Sequence, residues 1–256
     1  MSHLHITGCR RSGTTLLFEM LAACCETNVS PIHEQSLFDC PHIPRDQTYL
    51  SKKPSDITHA YRVFLRNPNL HLIYIQRDPR DVITSRHPTR SDIYYASFSR
   101  WQRYQQAAQQ FEGHPRFLKV RYESLVTHPN EVQQEILQQF NFLVTQHTFE
   151  AFHERANPSK QAEISLNGLR AVNPNSIGNW RQHLPRIKFQ SEQYPALAQA
   201  VRMHGYEPDD NWLRSLDNVQ PLSQRYGEDH PGLIKRWETH LRFRLKSRTY
   251  LRRQGF

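Results

Sequence analysis

The stretch HLHITGCRRSGTTLL, His3 to Leu17, constrains this chain more than any other. Leu4 and Ile6 alternate with polar residues, as in a strand with one apolar face. TTLLFEMLAAC then carries Leu16, Leu17, Met20 and Leu21 at helical spacing, which predicts a helix with those four inward. Between them Gly8 and Gly13 let the backbone approach a ligand closely. A strand, a glycine loop and a helix gather backbone N–H groups and the positive end of a helix dipole around one anion. The loop that hydrolyses nucleoside triphosphates needs lysine after the second glycine. Thr14 stands there instead. Arg10 and Arg11 supply the cation, and Ser12, Thr14 and Thr15 supply hydroxyl donors. A guanidinium fork suits an oxyanion whose charge is spread over several atoms. The loop therefore reads as a phosphate site outside the metal-dependent triphosphate mode.

The segments that follow alternate between strand and helix. HLIYIQ, His71 to Gln76, is a continuous apolar run suited to a buried parallel strand. DPRDVITSR begins with Asp78 as N-cap and Pro79 at the first helical position. IYYASFSRWQRYQQAAQQF is expected as one long helix, RFLKVRY as a strand and PNEVQQEILQQF as a helix. This alternation predicts an α/β three-layer fold of the P-loop type, a central parallel sheet flanked by helices. Residues 1–230 are expected to form a single α/β domain. Within it, the polar segment 151–178, with two Asn-Pro pairs, should be a loop or lid that ends in a helix at Trp180. Residues 231–256 hold eight Lys or Arg against one Glu. Ile234, Trp237, Leu241 and Leu245 recur there at helical spacing, so a basic amphipathic helix is expected.

The chain has 256 residues, a formal charge of +9 and 15 histidines besides. That balance favours anionic partners, although charge alone also serves solubility. No apolar run approaches the ~20 residues of a spanning helix, and a cytoplasmic location is expected. Cys9, Cys24, Cys25 and Cys40 form no C-x-x-C pair and complete no zinc pattern, so reduced structural thiols are expected. Cys9 is set apart by its two neighbouring arginines, which should lower its pKa.

In YIQRDPRDVITSR, Arg77 ends the apolar strand and Ser85 lies eight residues on, about two turns into the next helix. Residues at the carboxyl end of a parallel strand face the ligand crevice. The pair could hold a second phosphate; alternatively, Arg77 pairs with Asp78 or Asp81 at the helix start.

Together these motifs resemble the PAPS-dependent sulfotransferases. CRRSGTTLL is similar to the loop around the 5′-phosphosulfate, with Arg11 at the position of that family's basic residue. YIQRDPRDVITS resembles its 3′-phosphate site, VRYESLVTHP its R-Y-E-D-L stretch and RAVNPNSIGNWR its late cofactor clamp. The resemblance implies that Arg10, Arg11, Ser12, Gly13, Thr14 and Thr15 form the phosphosulfate loop. It implies Arg77, Ser85 and Arg170 at the 3′-phosphate and Tyr122 near adenine. Ser176 would meet the 3′-phosphate side with Arg170, and Gly178, Trp180 and Arg181 would shape the clamp. Lys52 and Pro54 fit the K-x-P pattern of the carbohydrate, tyrosylprotein and bacterial branches, to which the chain looks closer than to the cytosolic small-molecule branch. There are departures. Leu16 stands where the cytosolic enzymes stack a tryptophan on adenine, Ser124 replaces an aspartate, and the K-T-H segment with its histidine is absent.

The expected function is transfer of a sulfuryl group from PAPS to an acceptor hydroxyl, or less readily an amine, by in-line displacement without a metal. Arg11 and Lys52 would stabilise the transferred group. The base would come from SPIHEQSLF, which offers His33 and Glu34 side by side; the resemblance favours Glu34. The acceptor, whether small molecule, glycan or peptide, has no readable code. Nucleic acid is not expected. The basic C-terminal helix either packs on the core or also touches an acidic membrane face. A P-loop kinase and a non-enzymatic polyanion-binding module are the rival readings. The first leaves the Arg77 to Ser85 segment without a role, and the second leaves the ordered motifs without one.

Overall fold

The computed structural model describes residues 1–87, 90–222 and 233–256, without the side chains of 90, 91, 233–237 and 240. Strand β1 (Ser2–Gly8) leads through the glycine loop into helix α1 (Thr14–Cys24). The chain then forms the edge strand β2 (Asn28–Val29), strand β3 (Thr48–Lys52) and helix α2 (Tyr61–Arg66). Strand β4 (Leu70–Gln76) and helix α3 (Pro79–Thr84) follow. As expected, Asp78 caps α3, accepting the Arg80 N–H, and Pro79 opens it. A short hairpin, β5 (Arg86–His87) and β6 (Arg90–Tyr94), precedes helix α4 (Phe98–Gln109). Strand β7 (Phe117–Arg121) runs directly into α5 (Tyr122–Thr127), and α6 (Pro129–Gln139) comes next. Helices α7 (Lys160–Leu166), α8 (Leu184–Gln193), α9 (Ala196–Met203) and α10 (Leu233–Gln254) complete the order.

The five-stranded sheet runs β2-β3-β1-β4-β7, and every pairing is parallel. This is the expected α/β architecture of a central parallel sheet flanked by helices. Its strands are buried on both faces, so successive residues enter different cores. Leu70, Leu72 and Tyr74 of β4 join the packing of α3, α4, α8, α9 and α10. Ile73 and Ile75 join Leu4, Ile6 and the apolar faces of α1, α5 and α6. Strand β1 has β3 on one side and β4 on the other, so the chain changes direction beside it. The loop after β1 thus opens at the switch point where parallel sheets bind ligands. Among the described residues, no helix is long and apolar enough to cross a membrane.

Three elements depart from expectation. The long helix predicted from Ile93 starts only at Phe98, where Ser97 caps it by accepting the Arg100 N–H. Ile93 and Tyr94 extend β6 instead, as β-branched and aromatic residues favour. Ser85 lies just past α3 as its C-cap, not two turns into a helix, because the helix is only six residues long. The helix expected at Trp180 is a 3₁₀ turn, Asn179–His183, that joins α8.

Helix α10 forms, but its packed face differs from the predicted stripe. Tyr250, Leu251, Ser247 and Gln254 are buried, and Phe243 stacks on His59 with ring centroids 3.8 Å apart. Leu241 and Leu245 are 51% and 62% exposed. The side chains of Ile234 and Trp237 lie outside the described residues. Polar anchors set the rotation of the helix. Lys246 pairs with Asp39 at 2.8 Å, Arg253 donates to the Cys40 carbonyl and Gln254 to that of Pro41, both at 2.6 Å. Leu251→Ala should therefore destabilise the protein by about 2–4 kcal/mol, whereas Leu241→Ser and Leu245→Ser should each stay within about 0.5 kcal/mol. Chemical denaturation of the three variants checks this, and the reverse order would restore the predicted stripe as the packed face.

Candidate active site

The loop between β1 and α1 is held by its own backbone. Ser12 donates its hydroxyl to the Cys9 carbonyl at 2.6 Å and its N–H to the same oxygen at 3.1 Å. Ser12 is fully buried. The expected role of Ser12 as a phosphate-facing hydroxyl is thus corrected: that hydroxyl closes the turn. A Cβ on Gly8 would stand 2.6 Å from Ser12 Oγ and 2.8 Å from the Ile75 carbonyl. Gly13 has φ +99°, and a Cβ there would stand 2.4 Å from the Tyr122 ring. Both glycines are required by contact, not by turn shape alone. Gly13 is also the N-cap of α1 and offers no side chain, so the first N–H groups of that helix remain open to a ligand.

The cavity at this switch point measures about 400 Å³. Arg10, Arg11, Gly13, Thr14, Thr15, Glu34, Pro54, Arg77, Tyr122, Arg170 and Ser176 line it, so most residues singled out from sequence converge there. The 151–178 segment forms its far wall through α7 and the loop after it, from Ser165 to Ser176. Arg170 is exposed and donates to the Asn167 carbonyl. Sequence reasoning missed the apolar end, formed by Leu16, Val126, Phe152, Leu166 and Val172. Leu16, expected inward, lines this end instead. The missed residues come from five separate segments, and only their topology brings them together.

At the polar end, Arg77 joins three segments. Its Nη1 donates to the Arg11 carbonyl at 3.0 Å and its Nη2 to the Ser176 carbonyl at 2.8 Å. Its guanidinium lies 4.2 Å from the centroid of the Tyr122 ring. Tyr122 Oη and Ser176 Oγ are 2.6 Å apart. Arg11 Nε donates to Ser85 Oγ at 2.8 Å. Arg11, Ser85, Arg77, Tyr122 and Ser176 are thus one cluster. Arg11 turns toward Ser85, and its guanidinium pKa is lowered by burial and then by Arg77. The alternative role for Arg77, pairing with Asp78 or Asp81, is not met by a direct bond. Asp78 is taken by Arg80 at 2.7 Å, and Asp81 accepts the N–H groups of Gly178 and Trp180. Burial raises the Asp81 pKa, although Arg77 lies near enough to pull against that rise.

Trp180 is corrected more sharply. It is buried and does not line the cavity; it sits between the Arg80 guanidinium, 4.3 Å from its ring, and Trp212. Its neighbourhood does shape the site. Asp81 Oδ2 accepts the N–H of Gly178 and Oδ1 that of Trp180, each at 2.9 Å. Those bonds fix the loop that carries Ser176 and Asn179 into the cavity. Gly178 has φ +74°, and Arg181, largely exposed, covers the outer face of Trp180.

Lys52 ends β3 and does not itself line the cavity; it lies behind Thr15 and Glu34, which do. Its Nζ donates to Thr15 Oγ1 at 3.0 Å, lies 3.5 Å from His33 Nε2 and 4.0 Å from Glu34 Oε1. Lys52 is 1% exposed, and burial lowers its pKa to about 8 against the pull of Glu34 and Glu19. Burial and Lys52 likewise lower the pKa of His33. Glu34, with 41% of its side chain exposed, lines the cavity. Cys9 contradicts expectation: full burial outweighs Arg100 and Arg10 and pushes its thiol up to about 12. All four cysteines are free and buried.

Residues 24–145 match the sequence profile of the sulfotransferase family. The match spans Glu34, Lys52, Arg77, Ser85 and Tyr122 and begins after the glycine loop. A comparison with curated proteins found no match. Among solved structures, the chain is similar to the sulfotransferase domain of the Synechococcus PCC 7002 olefin synthase, at 16% identity and a TM-score of 0.51, covering 70% of this chain and 86% of that one. It is similar to the sulfotransferase domain from the curacin biosynthetic pathway, at 15% identity and 0.52, covering 70% and 90%. It is also similar to mouse sulfotransferase SULT7A1, solved with PAP, at 13% identity and 0.53, covering 80% and 85%. Residues 24–145 are thus similar to the sulfotransferase family, and the chain shares the fold of these sulfotransferase structures.

Proposed function

We propose that this enzyme transfers a sulfuryl group from PAPS to an acceptor hydroxyl. The observation that carries the reading is the convergence of Arg11 and Arg77 on one cavity, with buried Lys52 held behind two of its lining residues, Thr15 and Glu34. The cluster of Arg77, Ser85, Ser176 and Arg11 would take the 3′-phosphate, with Arg170 at its rim. The base would lie in the apolar slot beside Tyr122. The N–H groups at the start of α1, with Thr14 and Thr15, would hold the 5′-phosphosulfate. That PAP accompanies the mouse sulfotransferase supports this choice of donor.

In the proposed reaction the acceptor oxygen attacks sulfur in line. Its O–H proton passes to Glu34, while the bond between sulfur and the bridging oxygen breaks and leaves 3′,5′-ADP. Protonated Lys52 and the α1 N–H groups stabilise the charge on the sulfuryl and leaving oxygens. Arg11, which donates to Ser85, would stay with Arg77 at the 3′-phosphate end rather than at the transferred group. Little covalent work falls to the protein, so positioning carries much of the rate.

Three measurements test the reading. Binding comes first. 3′,5′-ADP without magnesium should stabilise the protein by about 2.7 kcal/mol at a hundred times its Kd, while 5′-AMP should need far higher concentrations. A preference for Mg·ATP would overturn the assignment in favour of a kinase. The base comes second. With labelled PAPS and a panel of hydroxyl and amine acceptors, Glu34→Gln should cut turnover by ~10²–10⁴-fold and leave 3′,5′-ADP affinity nearly unchanged. His33→Ala should do much less; the opposite ranking would exchange the two roles.

Lys52 gives the third. Transfer should decline as pH rises through about 8, where Lys52 gives up its proton in the folded state. Its contribution to stability moves the other way. The folded pKa lies below the ordinary lysine value, so the unfolded chain binds the proton more strongly across that interval. Lys52 therefore destabilises the fold at neutral pH, and stability recovers as pH rises above 8. Lys52→Met should remove both trends. An alkaline limb of activity that persists in Lys52→Met would assign it to another group.

A further inference from the structure

Beneath the sheet face that meets α10 runs a chain of buried polar side chains that the proposed reaction does not use. Asn67 Nδ2 donates to Tyr250 Oη at 2.9 Å, and Tyr250 Oη lies 3.1 Å from His3 Nδ1. His3 Nε2 and His5 Nδ1 each lie 2.7 Å from Ser51 Oγ. His5 Nε2 lies 3.5 Å from Asp56 Oδ2. All six residues are at most 1% exposed.

One arrangement of protons satisfies this order. Tyr250 accepts from Asn67 and donates its O–H to His3 Nδ1. His3 donates from Nε2 to Ser51, and Ser51 donates to His5 Nδ1. Burial and its histidine neighbours lower the His3 pKa. His5 Nε2 then lies 3.5 Å from Asp56 Oδ2 with no hydrogen-bond partner of its own, so the chain approaches the carboxylate without bonding to it.

That carboxylate has two hydrogen-bond partners. Asp56 Oδ2 accepts the Ser36 hydroxyl at 2.9 Å and the Leu37 N–H at 2.6 Å. Ser36 and Leu37 follow His33 and Glu34 by two or three residues. Asp56 itself sits in the 3₁₀ turn that begins two residues after Lys52, and Ser51 precedes Lys52 directly. Glu34 and Lys52 come from separate segments of the chain, and a single carboxylate ties both segments together.

We propose that Asp56, bonded to Ser36 and Leu37 and fixed in the turn that follows Lys52, is the positioning residue that holds Glu34 beside Lys52 at the cavity. The assignment rests on the sulfotransfer reading. A carboxylate in this place does more than fill the core. A buried charge is costly, and apolar packing would hold the two segments with less penalty. The hydrogen bonds fix direction as well as contact, which reacting groups need.

The test uses Asp56→Asn in the full chain, with Ser36→Ala as a milder change that removes one of its bonds. Three quantities are read: the Kd for 3′,5′-ADP, turnover with labelled PAPS and an acceptor that wild type uses, and the pH midpoint for acetic anhydride labelling of Lys52. Asp56→Asn should keep the Kd within about threefold and lose roughly 10–100-fold in kcat, as small misplacement of reacting groups does. The Lys52 midpoint should fall below about 8, because Glu34, which holds it up against burial, moves away. Ser36→Ala should show a smaller loss in the same direction. A folded Asp56→Asn with unchanged kcat and midpoint overturns the proposal, as does a Kd that weakens in step with kcat. If Asp56→Asn fails to fold, Ser36→Ala with wild-type turnover and midpoint also overturns it. Failure of wild type to transfer sulfate to any acceptor would sink the sulfotransfer reading instead, and the labelling midpoint would still judge the positioning role.

Discussion

The site depends on the Arg77 guanidinium more than on any other group. It ends the central strand β4, and from there it bonds the carbonyls of Arg11 and Ser176 while lying against the Tyr122 ring. Tyr122 in turn fills the space that Gly13 leaves by having no side chain. Strand end, glycine loop, start of α5 and late loop therefore meet at one planar cation. Arginine suits this place because its donors are fixed in a plane and its faces stack, which a lysine could not reproduce. The late loop is held from behind by a second device. Asp81 takes two of its N–H groups, and Asp78, Arg80 and Glu207 form a buried ion-pair chain beneath Trp180 and Trp212.

This division explains which features were legible in the sequence. The strand–loop–helix at the start was readable because glycine, hydroxyl and apolar residues each sit where local geometry demands them. The parallel strands were readable from their unbroken apolar runs, and Asp78 with Pro79 marked α3 correctly. The errors have a common origin. Trp180, the Ser12 hydroxyl and the packed face of α10 were all assigned from motif or periodicity, while partners distant in sequence decide them. Trp180 is claimed by Arg80, Ser12 by the Cys9 carbonyl, and α10 is turned by Asp39, Cys40 and Pro41. Cys9 failed for an energetic reason. Neighbouring arginines do favour its thiolate, but full burial disfavours it more.

The apolar end of the cavity and the buried histidine chain carried no sequence signal at all. Leu16, Val126, Phe152, Leu166 and Val172 are unremarkable as core residues until the fold places them beside an arginine cluster. His3 and His5 look like polar positions of an alternating strand, the side that would face solvent in a half-buried sheet. In this sheet both faces are covered, so that side became a buried polar row that needed its own partners. Ser51 and Tyr250 supply most of them.

The electrostatics of the site argue for an anion as its natural complement. Burial, and then Arg77, lower the pKa of Arg11. Main-chain carbonyls and the Ser85 hydroxyl take some of the N–H groups of the two arginines, yet the buried Arg77 Nε has no partner, and these acceptors carry no charge. Lys52 shows the same tension, since its pKa falls although Glu34 and Glu19 pull it up. A ligand with phosphate at one end and phosphosulfate at the other would relieve both centres at once. Each end would then gain from charge-assisted hydrogen bonds that the empty fold can only imitate. Affinity for such a ligand and stability of the fold are therefore two readings of one free energy.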